Sequence, residues 1–132
     1  MSPRSLHDEE DEPEDVWRFP LESELHDFAP GLLEAQNSWL SQIDSLRAPD
    51  RKTHELIRMV CTVILRNPPG IQRHAMLAAE VGATWEEIAG SIVLTEPAFG
   101  IGQVFEAMPW ARRGWERGRA AVDEGGRSSA SG

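Results

Sequence analysis

The sequence holds a single cysteine, Cys61, in 132 residues. One thiol excludes an internal disulfide. It also excludes chemistry in which an attacking cysteine passes a disulfide to a resolving partner. Basic residues are scarce beside acidic ones, 13 against 22, and the formal net charge is −9. A chain of that sign repels phosphates and anionic headgroups, so we expect neither nucleic acid nor a membrane as partner. No apolar run reaches transmembrane length. The first fifteen residues are acidic, where a signal peptide would be basic and then apolar. A cytoplasmic protein is the expectation. The four histidines show no H-x-x-x-H or other paired-ligand spacing, so no metal site is predicted. No segment alternates at period two, so no sheet is predicted either.

What the sequence does hold is a strong helical signal over residues 50–88. Asp50 is a good N-cap, with Pro49 closing off the preceding segment. Leu56, Ile57, Val60, Val63 and Ile64 recur at helical spacing and predict one apolar stripe. Asn67, Pro68, Pro69 and Gly70 break that helix, and Pro69 suits the first turn of the next. The second helix carries Ile71, Ala75, Ala78 and Val81 on one face, with His74 in line, and Gly82 is suited to a left-handed cap. Thr84 and Glu87 form a predicted capping box that opens a third helix, with Ile88, Ile92 and Val93 as its stripe. Cys61, beside the first stripe, is expected to be a small buried residue.

The flanks complete an all-α prediction of about six helices around a central antiparallel hairpin. Residues 1–15 are acidic and proline-containing and are predicted to be a disordered tail. Val16 to Phe19 is an apolar patch. A helix is expected over Leu21 to Phe28 with Pro30 ending it, and another from Gly31 to Leu46. The third core helix bends or ends at Pro97. Val104, Phe105 and Met108 continue a helical face, and Pro109 is expected to start a separate segment. Arg112, Arg113, Arg117 and Arg119 predict a basic, mainly solvated face. The domain is expected to span 16–122, and residues 123–132 read as a flexible tail.

Two residues in the hairpin carry possible chemistry. His74 has two readings, a core histidine with one nitrogen hydrogen-bonded and a proton carrier near neutral pH. Glu55 is either a solvated helix residue or a buried carboxylate whose pKa burial would raise. A tight hairpin centred near Pro68 places Val81 opposite Glu55, leaving an offset to His74 on the order of 10 Å at 1.5 Å per residue. Glu96, at the end of an apolar helix, reads as a helix-end charge or as a second carboxylate of the site. Arg58 and Arg73 could hold a substrate carboxylate bidentately. Phe99 is a candidate substrate-binding residue. Gly100 and Gly102 are expected to serve helix packing, since G-x-G without a preceding strand is no phosphate fingerprint.

From about Pro49 to Met108 the chain resembles the carboxymuconolactone decarboxylase family, which includes alkylhydroperoxidase D-like proteins. The most specific part is HAMLAAEVGATWEEI, His74 to Ile88. The spacing from Glu55 to His74 matches the branch in which a glutamate precedes a C-x-x-C-x-x-x-H motif. The two cysteine positions are Asn67 and Gly70 here, so thiol peroxidase activity is not expected. The decarboxylase branch carries a histidine and a tyrosine where this chain has Leu94 and Ala98. The resemblance implies a helical homo-oligomer, trimer or hexamer, acting on a small molecule without a cofactor. It implies a lyase of decarboxylase type on a small anionic or lactone-like substrate, with Glu55 and His74 as catalytic groups and Trp39 as a candidate wall residue; Glu96 is a further catalytic candidate from its place in the chain. Alternatives are a divergent isomerase, dehydratase or cyclase, and an inactive oligomeric binding protein.

Overall fold

The computed structural model describes residues 22–131. The predicted acidic tail at 1–15 and the Val16 to Phe19 patch lie outside them. The chain divides into two compact units, one ending at Leu46 and one beginning at Arg47. The first contains α1 (Glu22–Phe28) and α2 (Pro30–Asp44). Pro30 does not merely end α1; it stands in the first turn of α2, where its missing N–H costs nothing. No residue of α2 is buried, and Trp39 on it is 62% exposed.

The second unit contains α3 (Arg51–Ile64), α4 (Pro68–Glu80), α5 (Trp85–Val93), the short α6 (Glu96–Phe99) and α7 (Gly102–Ser131). Among the described residues there is no strand, and the fold is all-α. Among the described residues, no helix is long and apolar enough to cross a membrane. The predicted caps form. Asp50 accepts from the Thr53 amide, and Asn67 from the Gly70 amide. Thr84 and Glu87 satisfy each other's backbone N–H groups as a full capping box. Gly82 has φ 100°, a conformation that any side chain would strain. Lys52 Nζ lies 2.8 Å from Glu87 Oε2 and ties the start of α3 to the start of α5.

Met59, Ile88 and Ile92 are fully buried, each contributing roughly 1.5–3 kcal/mol by leaving water. Around them pack Val63, Ile71, Val104 and a set of alanines on α4 and α7. Small residues let α4 and α7 approach closely. A Cβ added to Gly114 would meet the Gln72 carbonyl at 2.2 Å, and one on Gly118 the Met76 carbonyl at 2.4 Å. At the far end, Trp115 Nε1 donates to the Ala83 carbonyl at 3.0 Å. The Arg112 guanidinium lies 4.9 Å from the ring centres of both Trp85 and Trp115 and also binds Glu116. Arg112 is therefore held against two aromatic rings as well as facing solvent.

Three expectations need correction. Pro109 does not begin a new segment but lies inside α7, exposed on its outer face, where water can take the carbonyl bond it leaves open. Helix α7 continues to Ser131, past the predicted start of a flexible tail at 123. The apolar stripe of α3 is rotated: the buried line runs through Glu55, Met59 and Val63, while Ile57 is half-exposed and Cys61 is exposed rather than buried. The rotation puts the carboxylate of Glu55 inside because basic partners are there to receive it.

Candidate functional site

Glu55 is fully buried and His74 is 8% exposed. His74 Nδ1 lies 3.3 Å from Glu55 Oε2, across the α3–α4 hairpin. The turn explains why the axial offset closes. The helices end at Ile64 and resume at Pro68, so three residues form the connection, with Arg66 at φ 53° in its middle. The hairpin is centred on Arg66 rather than Pro68, and Glu55 then faces Leu77. His74 is three residues away, about 4.5 Å along the axis, within reach of two long side chains.

The other carboxylate oxygen, Oε1, faces basic groups at longer range: Arg51 Nη2 at 3.4 Å, His54 Nε2 at 3.6 Å and Arg58 Nη1 at 3.7 Å. It makes no protein hydrogen bond. Arg58 Nη1 also lies 3.2 Å from His54 Nε2. A guanidinium only donates, so His54 Nε2 accepts and its proton sits on Nδ1. The His54–Glu55 contact is then between two acceptors and is not a bond. By the same reasoning a carboxylate only accepts, so His74 Nδ1 donates to Glu55 and leaves Nε2 for other work.

Burial by itself pushes the Glu55 carboxyl up. The hydrogen bond from His74 and the electrostatic attraction of its ring, followed by the charges of Arg51 and Arg58, more than offset this and hold it below the usual glutamate range. The carboxylate is thus ionised at neutral pH, opposite to the shift expected from burial alone.

The remaining predicted site residues do not gather here. Arg58 joins the cluster, but Arg73 is exposed on α4. Glu96 is exposed in α6 with no hydrogen bond or ion pair to Glu55 or His74, and Phe99 beside it is 54% exposed. Trp39 belongs to the first unit. Sequence reasoning missed Arg51 and buried His54. Their signal was present, because Arg51 precedes Glu55 by one helical turn and His54 precedes Arg58 by one. Among the described residues, no group of three His, Cys, Asp or Glu side chains is placed to hold a metal ion.

The two positions that hold cysteines in the peroxidase branch have structural work here. Asn67 caps α4 by accepting from Gly70 N at 3.5 Å. A Cβ at Gly70 would lie 2.6 Å from Thr62 Cγ2, so the space of a second thiol is already filled. Leu94 and Ala98, at the decarboxylase histidine and tyrosine positions, are both exposed, and the chain has no tyrosine.

A separate cleft of about 220 Å³ lies beside the α3–α4 turn, lined by Val63, Ile71, Gln103 and Trp110 among others. Neither Glu55 nor His74 lines it. In comparison with known proteins, residues 30–113 match the family model described as the carboxymuconolactone decarboxylase family. No curated protein and no solved structure matches the chain.

Proposed function

The chain belongs to the carboxymuconolactone decarboxylase family, and from that premise we propose that it is a cofactor-independent lyase acting on a small anionic or lactone-like substrate. The observation that carries the reading is the buried Glu55–His74 contact. In a decarboxylation the carbon–carbon bond to the carboxylate breaks, carbon dioxide leaves, and the electron pair delocalises into the unsaturated ring. A proton must then reach the resulting carbanion carbon. His74, protonated at both nitrogens, gives that proton from Nε2, and Glu55 stabilises the imidazolium through Nδ1–H. Arg58, about 30% exposed, attracts the substrate anion. The exposed apolar side chains of Leu65, Leu94 and Phe105 support assembly of this chain into a homo-oligomer.

Incubation of the 132-residue protein with γ-carboxymuconolactone, followed by ultraviolet absorbance, tests the reading. Turnover lost in His74→Ala supports it. Absence of turnover by folded protein overturns the decarboxylase assignment.

The second reading is a divergent proton-transfer enzyme that isomerises, dehydrates or cyclises its substrate. It is favoured by Leu94 and Ala98, which replace two groups of the decarboxylase branch with side chains that transfer no proton. The same His74 would then act as the neutral base at Nε2. Nothing in this reading changes the roles of Glu55 and Arg58.

A further inference from the structure

Arg58 Nη1 lies 3.2 Å from His54 Nε2, one helical turn back on α3. Glu55 Oε1 is farther from the same guanidinium nitrogen, at 3.7 Å. That is too long for an N–H to oxygen hydrogen bond, so of these two groups His54 receives the Nη1 proton. The two ends of the contact differ in burial: the His54 side chain is 6% exposed and that of Arg58 30%. One end is fixed in the interior and the other reaches toward solvent. A part-exposed arginine turns through many rotamers, and a ligand that engages it must freeze them. One N–H anchored on a buried ring removes part of that cost before the ligand arrives.

The chemistry of the acceptor matters as much as its place. A carboxylate at this position would orient the guanidinium but also cancel its charge and compete with an anionic substrate. An imidazole that accepts at Nε2 is neutral. It orients the guanidinium and leaves the charge in place. We propose that His54 is a positioning residue for the substrate anion: its Nε2 holds Arg58 so that the guanidinium meets a substrate carboxylate in one set orientation. This inference rests on the role proposed above for Arg58 in attracting that anion. His54 acts only through Arg58, and the proton transfer stays with His74.

The test compares turnover and equilibrium binding of γ-carboxymuconolactone in the full chain, in His54→Met and in His54→Gln. Binding is read in the His74→Ala background, and the fully esterified lactone serves as the uncharged probe. His54→Met should raise KM and weaken binding about tenfold with kcat little changed, the order of one weakened hydrogen bond to a charged group. Binding of the ester should not change. His54→Gln, whose Oε1 can accept from Arg58 Nη1, should recover most of the affinity. In a two-bond ¹H–¹⁵N correlation spectrum of the unaltered chain, His54 should carry its proton on Nδ1. The proposal is overturned by an acid that does not bind, by affinity for the acid unchanged in His54→Met, by equal losses for acid and ester, or by no recovery in His54→Gln. A kcat that falls while KM holds, or a His54 protonated at Nε2 alone, would also overturn it. Failure of the lyase reading looks different: the acid binds without turnover and His54→Met still weakens that binding, which supports the positioning role and removes the decarboxylase assignment.

Discussion

Glu55 Oε2 and His74 Nδ1 meet at 3.3 Å although the residues are 19 positions apart and lie on different helices. Removing either partner leaves the other buried with its polar group exposed to the core. Glu55→Ala leaves His74 Nδ1–H and the charges of Arg51 and Arg58 without their anion. Breaking a buried pair in this way costs about 3–5 kcal/mol, and the partial exposure of both arginines puts this case at about 3. Urea denaturation should show that loss in the midpoint with an unchanged slope.

His74→Ala should separate chemistry from folding. Loss of a positioned proton-transfer group lowers turnover by roughly 10²- to 10⁴-fold. His74→Gln, which keeps a donor near Glu55, should recover most of the stability and none of the turnover. Equal activity in both variants and the unaltered protein would show that His74 is structural.

Acid stability follows from the sign of the Glu55 shift. Its folded pKa is depressed, so its contribution is present above the unfolded glutamate value of about 4.3 and is lost as pH falls through the lower folded value. Asp50 and Glu87 are lowered in the same sense, chiefly by their hydrogen bonds to Thr53 and Lys52 respectively. Lys52 is raised by its bond to Glu87, so its contribution is present below about 10.4 and is lost as pH climbs through the folded value. Thermal midpoints measured against pH should therefore fall at both extremes. Glu87→Gln should flatten the alkaline limb, whereas Glu55→Gln should flatten only the acid limb.

Gly114→Ala tests the close approach of α7 to α4. Its Cβ would stand 2.2 Å from the Gln72 carbonyl oxygen, and backbone cannot rotate aside as a side chain can. Overpacking commonly costs 1–3 kcal/mol, and this contact belongs at about 3 or above. Gly126→Ala, with nothing within 4 Å of its Cβ, serves as the control and should change stability little.

Restoring a thiol at Gly70 should be unfavourable for a similar reason. Thr62 Cγ2 occupies the position, so Gly70→Cys should destabilise by about 1–3 kcal/mol. Thr62→Ser, which removes that methyl and keeps the hydroxyl bond to the Met59 carbonyl, should relieve much of the loss. Chemical denaturation of the single and double variants measures the difference.

Local signals in the sequence were reliable wherever one residue acts on its own neighbours. Asp50, Asn67, Gly82 and the Thr84–Glu87 box each bind or bend the backbone within a few positions, and each was legible. The rotated face of α3 was not, because which side of a helix turns inward depends on partners far along the chain. Ile57 has the composition of a core residue, but Glu55 takes the inward position once His74, Arg51 and Arg58 are beside it. Pro109 was misread because a proline ends a helix only where the freed carbonyl finds no other partner. The Glu55–His74 pair was visible as two residues, and the three-residue turn centred on Arg66 is what brings them together.

The central claim is that Glu55 fixes the His74 ring so that Nε2 is left for proton transfer. A two-bond ¹H–¹⁵N correlation spectrum of the imidazoles, with His74 assigned by its absence in His74→Gln, measures this directly. The account predicts that neutral His74 carries its proton on Nδ1 and that Glu55→Gln shifts the ring toward a mixture of the two forms. A His74 protonated at Nε2 with a bare Nδ1, unchanged by Glu55→Gln, would contradict it.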